Sequence, residues 1–296
     1  MIYPKQTRRC VKGKTMENIA YYNGRVAPIE DMMIPMNERS SYFGDGVYDA
    51  MFTVEHVPLQ MDDHLRRFYR SAKRIDIDIP MPFEQLRAMV LDFCRRVDSP
   101  DQMVYVQATR GVGMRGHAYR FAGDRPSLWV FVKPDVLDPM DREYSAITAE
   151  DQRYFYCDIK TINLLPSVLY TQRAEEAGCD ETILHRGERV TECAHSNVHI
   201  LKDGALRTAP CDNLILPGIA RKHILEICGE QGIPVVEAPF TVDELMAADE
   251  VFFSSSSAVT CRVREIDGKP VGMRDEATFA KIRDGYQRKI KEECGK

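Results

Sequence analysis

The sequence predicts a mixed α/β protein of two domains, and three observations support this prediction. The chain has 296 residues, which is about twice the length of a typical domain of roughly 150 residues. Hydrophobic residues make up 44% of the chain and charged residues 29%, a composition that excludes disordered and fibrous proteins. Segments with helical periodicity alternate with strand-like segments in both halves of the chain.

The first half predicts a small domain of strands and two helices. Asn23-Gly24 lies between strand-like flanks and predicts a β-hairpin. Apolar spacing and β-rich runs predict the other elements, which are strands at 46–57, 103–109 and 128–132 and helices around 65–75 and 86–97. The acidic, proline-containing segment 134–141 resembles a linker. We therefore place the domain boundary near residue 138, with residues 1–17 as a polar extension of the first domain.

The second half, residues 139–296, predicts a larger mixed α/β domain with many short strands. Its predicted strands are 153–159, 182–185, 198–201, 205–208, 235–237 and 250–253, and its predicted helices are 167–177, 219–231, one after Thr241 and one at the C-terminus. We find no internal repeat.

Charge and cysteine content exclude several classes of partner and site. The net charge of -5 gives no general attraction to nucleic acid or anionic lipid. The nine cysteines are scattered, with Cys179 and Cys193 the closest pair, so we expect neither a metal site nor a disulfide framework. No apolar segment follows the basic N-terminal residues, and we expect no signal peptide and no membrane span. These features favour a cytoplasmic protein.

The segment 111–116 matches the motif G-x-G-x-x-G and follows a predicted strand. A dinucleotide-binding turn must open a helix, however, and residues 117–126 have no sustained apolar stripe and run into Gly and Pro. An NAD-dependent oxidoreductase therefore remains a remote alternative. The segment is better interpreted as a flexible glycine loop. Arg115 and His117 on this loop form either a cationic pocket suited to a carboxylate or, as is more common for such a pair, a solvated basic surface.

Two segments of the second half are candidate phosphate sites. Pro217-Gly218 precedes a predicted helix, whose free N–H groups are suited to an anion, and four serines, 254–257, follow a strand.

Lys160 has apolar neighbours, and such surroundings favour the neutral amine that a Schiff base requires, although most lysines extend to solvent instead. Glu192 lies on a predicted short strand and is either a buried or a surface acid. The residues alone do not decide between the two alternatives for Lys160 or between the two for Glu192.

Seven short strings carry a resemblance to a known family. They are Phe43-Gly44-Asp45-Gly46-Val47-Tyr48, His64-Leu65-Arg66-Arg67-Phe68-Tyr69, Asp158-Ile159-Lys160, Val190-Thr191-Glu192, Ser196-Asn197-Val198, Asn213-Leu214-Ile215-Leu216 and Ile266-Asp267-Gly268-Lys269. In this order they resemble the class IV aminotransferases of fold type IV, which use pyridoxal 5'-phosphate (PLP). The resemblance implies a PLP enzyme with a barrel-like second domain.

The resemblance also implies roles for individual residues around PLP. Lys160 would form the Schiff base and move the proton at the substrate Cα, and Glu192 would face the pyridine nitrogen. Arg67 would hold the phosphate together with the backbone at Ile219 and Ala220. The remaining cofactor contacts would come from Ser256, at the phosphate, and Leu216, against the ring.

Within this family the chain is most similar to the members that act on D-amino acids. Tyr48, Arg115 and His117 match the group that holds the substrate carboxylate there, and the last two would complete the site of a partner subunit in a homodimer. The implied reaction converts D-alanine and 2-oxoglutarate to pyruvate and D-glutamate. Alternatives with the same fold are a branched-chain L-amino acid or (R)-amine transaminase and an aminodeoxychorismate lyase.

The chain departs from its well-known relatives at two positions. His195 stands where a hydroxyl belongs to a network with a carboxylate, here matched by Glu181, and we expect these two side chains to form a hydrogen bond. Ala220 replaces a threonine at the phosphate position, which removes one donor.

A non-catalytic oligomerisation protein is a further alternative, but it gives the Lys, Glu and phosphate-site residues no reason to occur together.

Overall fold

The computed structural model describes residues 16–296, which form two β-sheets with helices packed against them. Residues 1–15 of the predicted N-terminal extension lie outside the described residues. The architecture confirms the predicted mixed α/β class. Among residues 16–296, no helix combines the length and the apolar character needed to cross a bilayer.

The first sheet has six antiparallel strands in the order β2-β1-β6-β5-β3-β4. These strands are β1 (Ile19–Tyr22), β2 (Arg25–Ala27), β3 (Gly46–Val54), β4 (Val57–Pro58), β5 (Gln102–Thr109) and β6 (Ser127–Pro134). Its helices are α1 (Arg39–Phe43), α2 (Met61–Arg74) and α3 (Phe83–Arg96). Asn23 and Gly24 both have positive φ and form the predicted hairpin turn between β1 and β2.

Alternation along the central strands places the core of this half on one face of the sheet. Val47 and Met51 of β3 and Val104 and Val106 of β5 are fully buried, and they pack with apolar residues of α2 and α3. The side chains between them point to the opposite face, where Tyr48 stacks on Tyr105 with ring centroids 5.5 Å apart. This alternation directs Tyr48 away from the core.

The second sheet has nine strands and curls into a barrel-like form. Its strands are β7 (Glu143–Glu150), β8 (Glu181–Arg186), β9 (Arg189–Cys193), β10 (Asn197–Lys202), β11 (Ala205–Thr208), β12 (Val235–Glu237), β13 (Glu250–Ser254), β14 (Cys261–Ile266) and β15 (Lys269–Pro270). The order is β12-β11-β10-β13-β14-β7-β8-β9, with β15 paired to β14. The end strand β9 leads through the turn 194–196 directly into β10, which lies five places away in this order. The sheet must therefore curl to bring these two strands together.

Four helices accompany the second sheet, namely α4 (Leu165–Glu176), α5 (Ile219–Glu230), α6 (Val242–Met246) and α7 (Glu276–Glu293). Ile224 and Ile227 of α5 and Ile282 of α7 are fully buried and share one apolar cluster with Phe252 of β13. This packing fixes the axis of α5 and therefore the position of its N-terminus.

The two sheets meet where β3 crosses the segment that contains Lys160. The backbone N–H of Tyr48 donates to the carbonyl of Lys160 at 3.0 Å, and that of Ile162 donates to Gly46 at 3.1 Å. These bonds bring the start of β3 against the loop that precedes α4. The proposed domain boundary near residue 138 falls between β6 and β7 and stays a prediction.

The predicted strand at 153–159 is wrong, because these residues form a loop. Tyr154, Phe155 and Tyr156 have the aromatic character of a strand, but all three are exposed, and the N–H of Ile159 turns back to the carbonyl of Tyr156. The first strand of the second sheet in chain order is instead β7, which we did not predict from the sequence. In β7 only Tyr144 and Ala146 are buried, so its buried alternation covers a short part of the strand and gives a weak signal.

Candidate active site

A cavity of about 450 Å³ lies at the junction of the two sheets and gathers most of the predicted site residues. Those that line it are Tyr48, Arg67, Lys160, Glu192, His195, Leu216, Ile219, Ala220 and Ser256. Residues from β3, α2, β9, the start of α5 and the end of β13 therefore converge on one space. Glu181 lies behind its wall, and Arg115 and His117 lie outside it.

Lys160 is fixed by its backbone, and its side chain reaches the cavity. Its N–H donates to the hydroxyl of Ser71 at 3.3 Å and its carbonyl accepts from Tyr48. The ammonium nitrogen lies 4.4 Å from the centroid of the Tyr48 ring. A primary amine is thus held beside an aromatic ring in a partly enclosed space.

Glu192 on β9 is a buried carboxylate with both oxygens engaged. Oε1 accepts from the Arg153 guanidinium at 2.5 Å, and Oε2 accepts from the Asn197 side chain at 3.1 Å and from the N–H of Leu216 at 3.0 Å. Burial raises the pKa of Glu192 above its usual value, and Arg153 opposes that rise only in part. The site therefore holds a carboxylate that accepts a proton more readily than an exposed one.

Arg153 is a functional residue that the sequence did not reveal. Its guanidinium pairs with Asp151 through two bonds of 3.0 Å and also reaches Glu192. In the predicted strand at 153–159, Arg153 would have been one of several side chains that alternate between the two faces of a sheet. No local signal marks it, because its partner Glu192 is 39 residues away in sequence.

Arg67 on α2 is oriented by a buried acid on the neighbouring strand. Its Nε and Nη2 each donate to Asp49 at 2.8 Å, and its Nη1 donates to the carbonyl of Pro217 at 3.2 Å. His64, one turn earlier, contacts the same carboxylate at 2.8 Å. Burial alone would raise the pKa of Asp49, but Arg67 and His64 hold it well below its usual range. The sequence did not predict a role for Asp49.

The N-terminus of α5 presents backbone donors to the same end of the cavity. Gly218 is the N-cap and supplies no side-chain cap, and the N–H groups of Ile219 and Ala220 have no partner among residues 16–296. Both residues are buried. A Cβ on Gly218 would lie 2.0 Å from the Asn197 Oδ1, so any other residue there would displace the Asn197 side chain. Free donors, the helix dipole and the nearby Ser256 together form an anion site.

The predicted contact between His195 and Glu181 is present. His195 Nδ1 lies 2.5 Å from Glu181 Oε2, which also accepts from the Ser196 hydroxyl at 2.7 Å. The Glu181 side chain is 2% exposed, whereas that of His195 is 58% exposed. The imidazole therefore covers a buried carboxylate from the side of the cavity. Its role in the site stays a prediction.

The glycine motif forms a packed loop between β5 and β6, and no α-helix follows it. Residues 119–121 form only a single 3-10 turn. Gly111 has φ +96°, and a Cβ there would lie 2.2 Å from the Arg125 carbonyl oxygen. At Gly116 a Cβ would lie 2.4 Å from the Phe121 ring. The glycines therefore allow close packing within the loop, and the flexibility expected of it stays a prediction.

Arg115 and His117 extend from this loop and are exposed. Their side chains lie around Phe43, with the Arg115 guanidinium 5.6 Å and the His117 ring 5.1 Å from its ring centroid. Neither lines the cavity that contains Lys160 in the same chain. His117 lines a neighbouring pocket, which shares Tyr154, Tyr156, Ile159, Thr161 and Asn163 with the Lys160 cavity.

Cysteines and acidic clusters add no further centre to the described part of the chain. The eight cysteines within residues 16–296 are all free. In the same range, no group of three or more His, Cys, Asp or Glu side chains is arranged to hold a metal ion.

Comparison with known families and sequences places the chain among aminotransferases. Residues 46–266 match the amino-transferase class IV family. A D-alanine aminotransferase of Listeria innocua is 39% identical over 281 residues, which cover 92% of this chain and 96% of the relative. One of Bacillus licheniformis is 35% identical over 278 residues, covering 93% and 98%.

Solved structures with the same fold include branched-chain aminotransferases. The enzyme of Thermoproteus uzoniensis, solved with norvaline, has a TM-score of 0.84 and 25% identity, and the match covers 94% of this chain and 96% of that one. The branched-chain amino acid aminotransferase of Escherichia coli has a TM-score of 0.83 and 23% identity, with 92% and 94% covered. The second similarity concerns the fold alone.

Proposed function

The chain belongs to the class IV aminotransferase family, and on that premise we propose that it transfers the amino group of D-amino acids to 2-oxo acids. D-Alanine and 2-oxoglutarate are the proposed substrates, and pyruvate and D-glutamate the products. The observation that carries the proposal is the convergence of Lys160, Glu192, Arg67 and the α5 N-terminus on one cavity. The D-configuration is supported by relatives named D-alanine aminotransferase that match over nine-tenths of both chains.

The cofactor of the family is PLP, and the residues of the cavity fit it. The N–H groups of Ile219 and Ala220, which have no partner within residues 16–296, are suited to a phosphate, and Arg67 supplies a fixed positive charge beside them. Glu192 would face the pyridine nitrogen, and Leu216 would pack on the ring. PLP, when bound, supplies an electron sink that stabilises negative charge at the substrate Cα.

The chain's own residues perform the proton chemistry and keep the site in order. Lys160 Nζ would take the proton from the substrate Cα and would then donate it to C4′ of the cofactor. Glu192 would keep the pyridine nitrogen protonated, and Arg153 holds the Glu192 carboxylate in place because it binds Oε1. Tyr48 limits the space around the Lys160 amine.

The substrate carboxylate is proposed to be bound by Tyr48 and by Arg115 and His117 of a second subunit. Two cationic side chains on one loop are suited to a carboxylate. They are exposed, and they do not line their own chain's cavity, which supports a homodimer in which each subunit completes the other's site. Free cysteines and the lack of a membrane-spanning helix among residues 16–296 support the proposal of a cytoplasmic enzyme.

Half-reaction spectroscopy tests the substrate class. The PLP-loaded protein is mixed in turn with D-alanine, L-alanine, L-leucine and (R)-1-phenylethylamine, and the change in cofactor absorbance is followed as the amino group is transferred. We expect a rapid change with D-alanine and little with the other three. A rapid change with L-leucine but none with D-alanine would contradict the D-amino acid assignment and favour the branched-chain alternative, which the structural neighbours carry in their names.

A further inference from the structure

The loop that carries Arg115 and His117 is long and exposed, so its position depends on its contacts with the rest of the protein. Residues 114–121 are exposed except for Gly116. Close contact of Gly116 with the Phe121 ring shapes the loop internally. The loop is also held where the N–H of Gly113 donates to the carbonyl of Asn37 at 3.0 Å and where the Arg110 guanidinium lies 3.6 Å from the Tyr119 ring centroid. The residues that directly follow Arg115 need a further attachment.

Arg39, at the start of α1, makes this attachment. Its side chain is 3% exposed, and its Nη1 donates to the carbonyl of Gly116 at 2.7 Å while its Nη2 donates to that of His117 at 3.3 Å. Its backbone N–H also donates to the carbonyl of Gly111 at 3.0 Å. One residue thus binds the loop at its beginning and at the two residues that follow Arg115.

The Arg39 guanidinium is itself held in one orientation. Its Nε donates to Asp45 at 2.7 Å, and the same carboxylate accepts from Arg110 at 3.0 Å. The face of the guanidinium lies 4.9 Å from the Phe43 ring, which also contacts the side chains of Arg115 and His117. Planar guanidinium groups donate in a fixed fork, so fixing Nε fixes the direction of both Nη donors.

We infer that Arg39 is a positioning residue for substrate binding, which holds the loop so that Arg115 and His117 bind the substrate carboxylate at the neighbouring site. The inference rests on the proposed function, in which those two side chains bind the carboxylate. Arg39 touches neither substrate nor cofactor in this arrangement. Its effect is confined to the geometry of the loop, and therefore to how well the two side chains meet the substrate carboxylate.

The substitution Arg39→Lys tests this inference. Lysine keeps the positive charge beside Asp45, but its single ammonium cannot bind Asp45 and both loop carbonyls in the same fork geometry. We expect the KM for D-alanine to rise about 10- to 100-fold, the range typical of losing a charge-assisted hydrogen bond, with little change in kcat. PLP loading and the half-reaction with ethylamine, which is D-alanine without its carboxylate, should stay within about twofold of the wild type.

Arg125→Lys is the matched control, because Arg125 is an exposed arginine at the other end of the same loop. It should leave the KM unchanged. Should Arg39→Lys fail to fold, Asp45→Asn loosens the same guanidinium without removing it and should raise the KM in the same selective way.

The outcomes separate this inference from the proposed function. If Arg115→Ala raises the KM for D-alanine but Arg39→Lys and Asp45→Asn do not, the inference is wrong and the carboxylate site stands. If Arg115→Ala has no effect, the proposed carboxylate site fails, and the inference fails with it. An equal loss with ethylamine and D-alanine in Arg39→Lys would show a general structural role and overturn the positioning role.

Discussion

At the residue scale, the pair of His195 and Glu181 makes stability depend on pH. Burial lowers the pKa of His195, but the Glu181 carboxylate raises it by more, and the net pKa lies above the usual value. Lys160 lowers it and Asp138 raises it by smaller amounts. Such a group stabilises the fold fully below its unfolded-state pKa of about 6.5, and this stabilisation is lost as the pH rises through the folded-state pKa. Because the side chain is 58% exposed, water screens the pair and the effect is modest.

We therefore predict that His195→Gln lowers the Tm more at about pH 5 than at about pH 9, on either side of the ordinary histidine pKa. Thermal unfolding of the two proteins across this range is the measurement. In a Glu181→Gln background only burial, Lys160 and Asp138 act on His195, so His195→Gln should no longer lower the Tm more at pH 5 than at pH 9. A difference between wild type and His195→Gln that does not vary with pH would count against the ion pair.

The sequence predicted site residues that belong to short motifs and missed those that act only through the fold. Lys160 and Glu192 were placed by a resemblance, and both line the cavity. Arg153 and Asp49 were missed, although one holds Glu192 and the other holds Arg67. Each pair is brought together by strands and helices that are distant in sequence. A single sequence carries no sign of such a contact.

At the scale of elements, the longer helices were predicted well, but the strand predicted at 153–159 is absent and α1, β7, β14 and β15 were not predicted. The start of α5 was predicted at residue 219, because Pro217-Gly218 marks the end of the loop before an apolar helical pattern. The strand predicted at 153–159 failed, because its aromatic residues lie in a loop on the outside of the protein. Local composition therefore identified a helix boundary but could not distinguish an exposed aromatic loop from a strand.

The N-terminus of α5 gives a prediction at this scale. Gly218→Ala would place a Cβ 2.0 Å from Asn197 Oδ1. Asn197 would have to move, and it donates both to Glu192 and to the carbonyl of Leu216. We predict a loss of PLP affinity of about tenfold or more, which follows from losing one to two such hydrogen bonds. Equilibrium titration of the apoprotein with PLP measures it.

Gly229→Ala is the matched control, on the same helix and with nothing within 4 Å of the added Cβ. It should leave PLP affinity unchanged and increase stability by about 0.5–1 kcal/mol, because alanine favours a helix over glycine. Equal PLP affinity in the two variants would mean that the Gly218 contact does not control the cofactor site.

At the scale of the whole molecule, the net charge of -5 does not describe the site. Lys160, Arg67 and Arg153 line the cavity, and Arg115 and His117 extend from the loop that we assign to the neighbouring site. The acidic excess lies elsewhere on the protein, and net charge governs solubility rather than local chemistry. A phosphate and a carboxylate can therefore be bound by an acidic protein.

The division of one site between two subunits predicts complementation between inactive variants. Lys160→Ala should abolish turnover, and Arg115→Ala should strongly reduce it at low D-alanine concentration. In a mixed dimer, the site that keeps Lys160 would receive an intact Arg115 from the Lys160→Ala subunit. Random exchange of subunits makes about half of the dimers mixed, and each has one intact site of two, so we expect about a quarter of wild-type activity.

Mixing the two purified variants under conditions that allow subunit exchange, then assaying at low D-alanine, measures this recovery. Lys160→Ala mixed with a Lys160→Ala, Arg115→Ala double variant is the control, because no combination of these subunits contains an intact site. If Arg115 acted on the cavity of its own chain, the mixed dimer would contain only defective sites and activity would stay at the mean of the two variants. Recovery in the first mixture alone would place Arg115 across the interface from Lys160.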